Sequence, residues 1–364
     1  MEFFHTHVAP DALAAVRETL ESTRLSEGVR VKAFEAALTE QLGLAHPAAV
    51  NSGTTALHLA LVVAGVGPGD EVILPAQTFI ATGLAILMCG AKPVFADIDP
   101  TTGNLSPAGF AAAITPRSKA VLPVHWAGLP CDMDEIGAIA AVHGIAVCED
   151  AAHAIGAFYR GKPVGAISRF TAFSFQAIKH LTTGDGGAVC CTDATDAREV
   201  FRRRWFGIDR AASPMSELGE REYNLHDIGY KYHLNDYCAA LGLANLADLP
   251  DRLARRRAIA ATFDAALADV PGVRLHARPH DRVSSWWLYG MRVERRLDFV
   301  RALKARGVPA SVCHLRIDTN AVFGGLSDLP HTAEFDASQI NLPVHEGLTA
   351  DDIARIIAAV RAGW

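Results

Sequence analysis

Three short segments of the sequence carry side chains that could do chemistry together. The first, Asn51-Ser52-Gly53-Thr54-Thr55, follows an apolar run and opens a helical pattern. A small polar turn between a strand and a helix presents backbone N–H groups and hydroxyls at the positive end of the helix dipole, which favours a phosphate. Serine and threonine are also common helix N-caps, so a structural role is the alternative. The Walker and G-x-G-x-x-G patterns of nucleotide-binding folds are absent here.

The second segment, Cys148-Glu149-Asp150-Ala151-Ala152-His153, places two carboxylates at the end of an apolar run. Ligands of α/β proteins bind outside the carboxyl ends of the strands. A carboxylate there can pair with a cationic ring nitrogen and keep the ring protonated. The structural alternative is that Asp150 caps a following helix.

The third segment runs from Ser174 to Gly187 and contains Lys179 between an apolar run and a glycine-rich turn. A lysine that is partly desolvated has a lowered pKa and becomes a nucleophilic amine, whereas a lysine in a surface loop does not. In order, the three segments supply the anchors that pyridoxal phosphate (PLP) requires. These are a phosphate cradle, a partner for the pyridine nitrogen and a lysine for the Schiff base.

Predicted strands and helices place these segments. Apolar runs predict buried strands at 71–74, 93–96, 120–124, 145–148, 170–175 and 187–192, and helical patterns lie at 56–64, 80–88, 107–114 and 133–142. This alternation predicts a largely parallel sheet covered by helices on both faces. No obvious helix separates the last two strands, so we expect part of the sheet to be antiparallel or mixed.

The remaining sequence predicts a long loop and a second domain. Residues 202–235 are polar, rich in arginine and aromatic residues and poor in regular period, which favours a functional loop. A helical stretch at 236–267, broken near Pro250, precedes a strand at 286–293, a helix at 297–306, an extended piece at 309–314 and a helix at 349–362 with Thr349 as N-cap. We predict a large α/β domain over 1–240 and a small α+β domain over 241–364.

Length and composition narrow the class of protein. The chain has 364 residues, 34 Lys+Arg against 40 Asp+Glu and a net charge of -6, a balance that argues against nucleic-acid binding. No apolar run reaches the roughly 18 residues that a membrane span needs, and the start of the chain lacks a signal-peptide pattern. Seven cysteines without C-x-x-C spacing predict buried reduced thiols. We therefore expect a cytoplasmic protein without a membrane segment or metal site.

Several motifs follow one another along nearly the whole chain. They are Ser52-Gly53-Thr54-x-Ala56-Leu57, Leu74-Pro75-x-x-Thr78-Phe79-x-Ala81-Thr82, Asp97-Ile98-Asp99, Pro123-Val124-His125-x-x-Gly128, Glu149-Asp150-x-Ala152-His153, Ser174-Phe175-x-x-x-Lys179-x-Leu181-Thr182-x-Gly184-x-Gly186-Gly187 and Asn341-Leu342-Pro343-Val344-His345. Each motif is weak alone, but the ordered set is specific. It resembles the DegT/StrS family of PLP-dependent sugar aminotransferases, a branch of the fold-type I aminotransferases.

The resemblance implies a fold-type I α/β architecture and a role for each motif residue. Lys179 is expected to form the Schiff base with PLP and later to move a proton between the substrate carbon and the cofactor. Asp150 is expected to pair with the pyridine nitrogen. Phe79 is expected to stack on the ring, with His153 on the other face or near the ring hydroxyl. The residues expected to hold the phosphate are Ser52, Gly53, Thr54 and Ser174.

The sequence departs from the family in segments that bear on the partner subunit and the substrate. Where many relatives have Gly-Tyr-Asn-Tyr-Arg in a loop that completes the neighbouring site, this chain has Gly229-Tyr230-Lys231-Tyr232-His233. Lys231 is therefore expected at the phosphate, with Asn224 or Asn235 as alternatives. Near the sugar nucleotide, His314 and Arg316 are candidate contacts. Arg204, in an arginine run, could bind diphosphate or carboxylate, or could merely solvate its loop.

The resemblance also implies an activity. A homodimer with shared active sites would move an amino group from L-glutamate, through pyridoxamine phosphate (PMP), to a nucleotide-linked keto-sugar. Some relatives carry His at the position of Lys179 and act as dehydratases, so the lysine favours transamination. The run 181–187 is closer to relatives that aminate a 4-keto-6-deoxy-hexose. The alternatives are a 3-keto sugar or keto-cyclitol acceptor, a desulfurase using Cys313, and a non-enzymatic regulatory protein with a PLP fold.

Overall fold

The computed structural model describes residues 1–210 and 212–364. The strands are β1 (Ala48–Val50), β2 (Glu71–Pro75), β3 (Lys92–Ala96), β4 (Ser118–Val121), β5 (Ala146–Asp150), β6 (Phe158–Tyr159), β7 (Lys162–Pro163), β8 (Phe170–Ser174), β9 (Gly187–Cys191), β10 (Val273–Leu275), β11 (Arg282–Val283), β12 (Tyr289–Val293) and β13 (Gln339–Leu342). The main sheet has seven strands in the order β1-β9-β8-β5-β4-β2-β3. Only β9 runs against its neighbours in that sheet.

Helices cover both faces of this sheet. In chain order, the α-helices of the described residues are α1 (Ala12–Glu21), α2 (Val29–Leu42), α3 (Gly53–Val63), α4 (Ile80–Met88), α5 (Pro107–Ala112), α6 (Met133–His143), α7 (Ala194–Arg203), α8 (Asp236–Leu246), α9 (Leu249–Leu267), α10 (Arg296–Ala305), α11 (Pro330–Ser338) and α12 (Ala350–Arg361). Successive strand residues alternate in direction, so Val72 packs with α3 and α4 while Ile73 packs with α5 and α6. Burial on both faces explains why these strands read as continuous apolar runs.

The predicted layout of the main sheet is confirmed. Each predicted strand matches an observed one within a few residues, and the helix at 80–88 is reproduced as α4. The expected mixed region is the antiparallel pair β8–β9, which extends from Phe170 opposite Cys191 to Ser174 opposite Gly187. The helical stretch after residue 236 is interrupted between α8 and α9, where Pro250 occupies the first turn of α9.

A separate apolar core lies among the C-terminal elements. It contains Phe263 of α9, Tyr289 and Met291 of β12, Phe299 of α10 and Val360 of α12. Thr349 caps α12 by accepting a hydrogen bond from the Asp352 amide, and the Asp352 carboxylate reciprocates at the Thr349 amide. The start of α9 packs on the main sheet and its end packs in this second core. The division at residue 240 remains a prediction.

The described residues between α7 and α8, 204–210 and 212–235, form turns and isolated bridges, as the sequence predicts for a long loop. The first two residues of the predicted loop, 202 and 203, belong to α7 instead. The end of the loop is fixed to the main sheet, because the Asn51 amide donates to the Tyr232 carbonyl at 2.8 Å and Val50 bridges His233. In the described residues no helix is long and apolar enough to cross a membrane. All seven cysteines carry free thiols.

Candidate active site

The main sheet brings the three predicted segments to one edge. Because β1, β5 and β8 are parallel and β9 is reversed, the ends of the first three strands meet the start of β9. A cavity of about 350 Å³ opens at this edge, which suits a small ligand. Predicted residues that line it are Ser52, Gly53, Thr54, Phe79, Asp150, His153, Ser174, Lys179 and His314, and further lining residues include Thr78, Thr82, Gln176, Asp185 and Trp287.

One end of the cavity is formed by the start of α3. The Ser52 hydroxyl accepts a hydrogen bond from the Thr55 amide at 3.1 Å, so the structural alternative of an N-cap holds for this side chain. The first-turn N–H groups of Gly53 and Thr54 have no acceptor within the helix. A Cβ on Gly53 would lie 2.8 Å from the Ser174 Cβ, so glycine is required for this close approach. The result is a turn of donors and hydroxyls suited to an anion.

Strand alternation distinguishes the two neighbouring carboxylates. Glu149 points away from the cavity and accepts hydrogen bonds from the Thr171 hydroxyl, the Ser168 amide and His125. The Cys131 amide donates to Nδ1 of His125, so the other nitrogen, Nε2, carries the hydrogen that Glu149 accepts at 2.7 Å. Asp150 therefore remains the carboxylate that faces the cavity.

Asp150 ends β5 and is 6% exposed. Residues 151–157 form turns rather than a helix, so the Asp150 side chain is not a helix N-cap. Its Oδ1 accepts from the Ala152 amide at 3.1 Å and its Oδ2 accepts from the Thr82 hydroxyl at 2.7 Å. Burial raises the pKa of Asp150, while these two hydrogen bonds oppose that rise. A cation in the cavity would favour the ionised form further.

A chain of two threonine hydroxyls, from Thr78 just before α4 and from Thr82 in its first turn, ends at the Asp150 carboxylate. The hydroxyls of Thr78 and Thr82 lie 2.7 Å apart, and both side chains are buried. An ionised Asp150 can only accept, so Thr82 donates to Asp150 and must accept from Thr78. The chain of hydroxyls orients one carboxylate oxygen and stabilises its negative charge.

Thr82→Val should test this arrangement, because valine keeps the shape of the side chain and removes the hydroxyl. We expect the pKa of Asp150 to rise further and turnover at neutral pH to fall about tenfold. A higher pKa keeps the carboxyl protonated to higher pH, so the acid limb of kcat should move upward in a pH profile. Thr82→Ser retains the donor and should keep the wild-type profile. Equal losses in both variants would contradict the role of the hydroxyl.

Lys179 lies in the turn after β8, where its amide donates to the Gln176 carbonyl at 2.9 Å. Burial lowers the pKa of the Lys179 amine to about 8, although the Asp150 charge opposes this shift. The neutral amine is therefore accessible near neutral pH and can act as nucleophile or base. This environment contrasts with the exposed loop lysine that was the structural alternative.

Aromatic rings line the rest of the cavity. His153 stacks on Trp287 with ring centroids 3.7 Å apart and an interplanar angle of 17°. Burial and the Lys179 charge lower the pKa of His153 well below its ordinary value, so the imidazole is neutral. Phe79 is half exposed and its ring lies 5.0 Å from that of His314. Burial also lowers the pKa of His314, to about 4.

The expected substrate contact by Arg204 is wrong for this structure. The side chain is almost fully buried, and its guanidinium contacts Glu27, Glu35 and the Ala49 carbonyl instead of the cavity. Two carboxylates already satisfy this cation, and removing it from them would leave buried charges unpaired. Arg202 and Arg203 are likewise paired, with carboxylates of α7 and the loop.

Arg316 does not reach the cavity either, which corrects a second prediction. Its guanidinium makes two hydrogen bonds to the buried Asp318 carboxylate, at 2.7 and 2.6 Å, and a third to the Ser327 carbonyl. This bidentate ion pair occupies the guanidinium N–H groups that would otherwise bind a phosphate. Arg316 therefore fixes the turn that follows His314, and only His314 of this pair lines the cavity.

Lys231 and Asn235 lie outside the cavity of their own chain. The Lys231 amine lies 3.6 Å from the centroid of the Trp205 ring, and the Asn235 side chain donates to the Tyr237 hydroxyl at 3.1 Å. Both were expected to act in a neighbouring subunit, so their role at the phosphate remains a prediction.

Sequence reasoning assigned no role to Thr82 or Trp287. Thr82 belongs to the motif Leu74-Pro75-x-x-Thr78-Phe79-x-Ala81-Thr82, so a signal for it was available. Trp287 had no such signal, because its ring reaches the cavity only through packing between distant parts of the chain. The Trp287 indole N–H donates to the Ile178 carbonyl at 3.1 Å across 109 residues.

The residues present fit PLP. Gly53 approaches Ser174 so closely that a Cβ on it would clash with the Ser174 side chain, and its lack of a side chain leaves the backbone N–H groups of the turn open to a phosphate. Nδ1 of His153 is buried, has no hydrogen-bond partner among the described residues and is available to a polar group of a ligand. Asp150 and Lys179 supply the remaining two anchors at the same cavity. When bound, PLP supplies a carbonyl that receives an amino group and a ring that delocalises negative charge.

A mixed seven-stranded sheet with this cavity at its edge defines a PLP-dependent enzyme of the fold-type I aminotransferase class. The chain belongs to the DegT/DnrJ/EryC1/StrS aminotransferase family, whose profile matches residues 7–361. The resemblance, the fold class and PLP as cofactor are therefore confirmed, and the protein is a sugar aminotransferase.

Curated relatives and solved structures agree with this assignment. The spore coat polysaccharide biosynthesis protein SpsC of Bacillus subtilis is 39% identical over 97% of this chain and 94% of its own length. The GDP-perosamine synthase of Caulobacter vibrioides is 38% identical over 95% of this chain and 93% of its own length. The sugar aminotransferase CalS13 from Micromonospora echinospora covers 100% of both chains at 34% identity, with a TM-score of 0.95. Spr1654 from Streptococcus pneumoniae, solved in PLP and PMP forms, is 28% identical and covers 100% of this chain and 98% of its own, with TM-scores of 0.90 and 0.91.

Proposed function

We propose that this aminotransferase takes its amino group from L-glutamate and delivers it to a keto-sugar linked to a nucleoside diphosphate. The proposed acceptor is a 4-keto-6-deoxy-hexose. The observation that carries transamination is that the Lys179 amine and the Asp150 carboxylate line the same cavity. A relative named for a GDP-linked sugar supports a nucleotide-linked acceptor. The run 181–187 supports amination at the 4-position.

Each residue has a defined task in this proposal. The Lys179 amine, with its lowered pKa, accepts a proton from the donor carbon and later returns one to the acceptor. Asp150, oriented by Thr82, holds a proton on the ring nitrogen through its negative charge. The N–H groups of the Gly53 turn and the Ser174 hydroxyl bind the phosphate. These groups are fixed by the sheet edge before substrate arrives, which lowers the cost of orienting the reactants.

The first test uses the purified full-length protein with PLP. We expect L-glutamate to remove the visible absorbance of the bound cofactor and to release 2-oxoglutarate. L-aspartate and L-glutamine serve as comparison donors. If the band ignores glutamate but responds to another amino acid, the donor assignment is wrong.

A second test addresses the acceptor. The enzyme in its PMP form should regain the absorbance of the PLP form with a nucleotide-linked 4-keto-6-deoxy-hexose, and an amino sugar should be detected by mass spectrometry. A 3-keto sugar nucleotide and a keto-cyclitol are the comparison acceptors. Faster recovery with either of these would overturn the proposed acceptor while leaving the glutamate half-reaction intact.

We further propose that the enzyme is a homodimer in which Lys231 completes the phosphate site of the partner subunit. The exposed position of Lys231 near the end of the loop supports this role. Lys231→Ala is expected to weaken PLP binding about tenfold, because one charge-assisted contact is lost. Titration of the apoenzyme with PLP measures this. Lys304→Ala, on α10, is the matched control, and unchanged PLP affinity in Lys231→Ala would contradict the assignment.

A further inference from the structure

The ring of Trp287 contacts both His153 and Lys179. The His153 imidazole is stacked at 3.7 Å from the Trp287 ring, and the Lys179 amine lies 3.7 Å from the same ring centroid. Both groups are therefore in direct contact with the Trp287 ring. The amine therefore contacts the negative face of an aromatic ring rather than a carboxylate.

The position of Trp287 is fixed on several sides. The side chain is 2% exposed, its indole N–H donates to the carbonyl of Ile178, and its amide donates to the Ala127 carbonyl at 2.9 Å. The bond to Ile178 ties the indole to the residue directly before Lys179. Phe4 packs at 5.3 Å from the ring. A ring held in this way needs no rearrangement to receive a cation.

Asp150 is the one anion among the described titratable groups that surround the Lys179 amine. The groups that act on its charge, or on which its charge acts, are Asp150, Cys313, His153, His314 and His180. Burial lowers the pKa of all three histidines below the ordinary value and raises that of Cys313 to about 12, so these side chains are uncharged. Asp150 is the anion among them, and its carboxylate is engaged by Thr82 and by the Ala152 amide.

We propose that Trp287 is a positioning residue for Lys179, whose ring face holds the ammonium group whenever the amine is not covalently joined to the cofactor. During transfer the amine uses its lone pair to take a proton from the donor carbon, becomes an ammonium, and later gives the proton up. A carboxylate partner would hold that proton strongly. A ring face stabilises the ammonium more weakly, so the proton can be returned.

The test measures the ionisation of Lys179 in the full-length enzyme loaded with PMP, in which this amine is free. Lysine side chains are labelled with isotopes for NMR, the chain has seven lysines, and the Lys179→Arg variant identifies the signal. We expect Trp287→Leu to lower the pKa of Lys179 by about one unit, because a cation–π contact favours the charged form. In Trp287→Phe, which retains an aromatic face, the pKa of Lys179 should lie between those of the wild type and Trp287→Leu.

Trp126→Leu is the matched control, because Trp126 is equally buried and packs edge-on to His153. It should leave the Lys179 pKa unchanged. An unchanged pKa in folded Trp287→Leu, or an equal shift in Trp126→Leu, would overturn the proposal. If Trp287→Leu does not fold, fluorinated tryptophan incorporated at position 287 keeps the shape and weakens the ring face, and its failure to lower the pKa would have the same meaning. Neither donor nor sugar is used, so the outcome is independent of the proposed substrates.

Discussion

Lys179→Ala is expected to abolish amino transfer, with a fall in kcat of at least about 10⁴-fold. The side chain is the amine among the lining residues of the cavity, and burial brings its pKa to about 8. Removing the amine deletes both the nucleophile and the base. The loss of rate is therefore not the sum of two independent losses. The loss is measured as the rate of amino-sugar formation from glutamate and the keto-sugar, with the product detected by mass spectrometry.

Two controls separate loss of chemistry from loss of structure in this variant. Lys162→Ala, an exposed lysine in β7, should retain wild-type activity. Added primary amines should restore part of the proton transfer in Lys179→Ala, because truncation leaves space beside Trp287. Turnover close to wild type without added amine would remove the central assignment of the active site.

Asp150→Asn is expected to lower kcat by about 10²–10³-fold while PLP remains bound. Asparagine keeps the shape and can still contact Thr82, but it carries no negative charge. Without that charge the ring nitrogen is no longer held protonated, so negative charge on the substrate carbon is less well delocalised. Steady-state kinetics at saturating cofactor measures the effect on turnover separately from PLP affinity.

Glu149→Gln is the matched control for Asp150→Asn. Glu149 is the neighbouring buried carboxylate, but it faces away from the cavity and pairs with His125 at 2.7 Å. We expect this variant to lose thermal stability, because a buried pair is broken, while its kcat stays within about tenfold of wild type. If Asp150→Asn turns over at near-normal rates, another acid must hold the ring nitrogen.

The anchor segments could be predicted because their chemistry is local. Each lies at a junction between a buried strand and a turn, and hydrophobic periodicity locates such junctions. The seven-stranded sheet then follows from alternating strands and helices, and its mixed part follows from the missing helix between β8 and β9. The resemblance to a family supplied the roles, and the cavity shows that Ser52, Asp150 and Lys179 come together.

The errors arose where an arginine side chain is already paired with a carboxylate of the same chain. Arg204 contacts Glu27 and Glu35, which precede it by more than 160 residues in the chain. An arginine run near a predicted functional loop gives no indication of these carboxylates. Arg316 pairs with Asp318 only because the turn brings the two side chains together. Charge alone therefore could not tell a substrate contact from an internal ion pair.

From the residues alone we could infer the succession of strands and helices along the chain, the three PLP anchors and the family. Tertiary structure decided which carboxylate enters the cavity, which arginines are already paired and which ring contacts the lysine. The physical reason is that backbone pattern and turn chemistry are short-range properties, whereas the partner of a side chain depends on which strands become neighbours. Trp287 meets Lys179 because the segment before β12 and the turn after β8 converge. The amine lies 3.7 Å from the ring centroid although the two residues are more than one hundred positions apart in the chain.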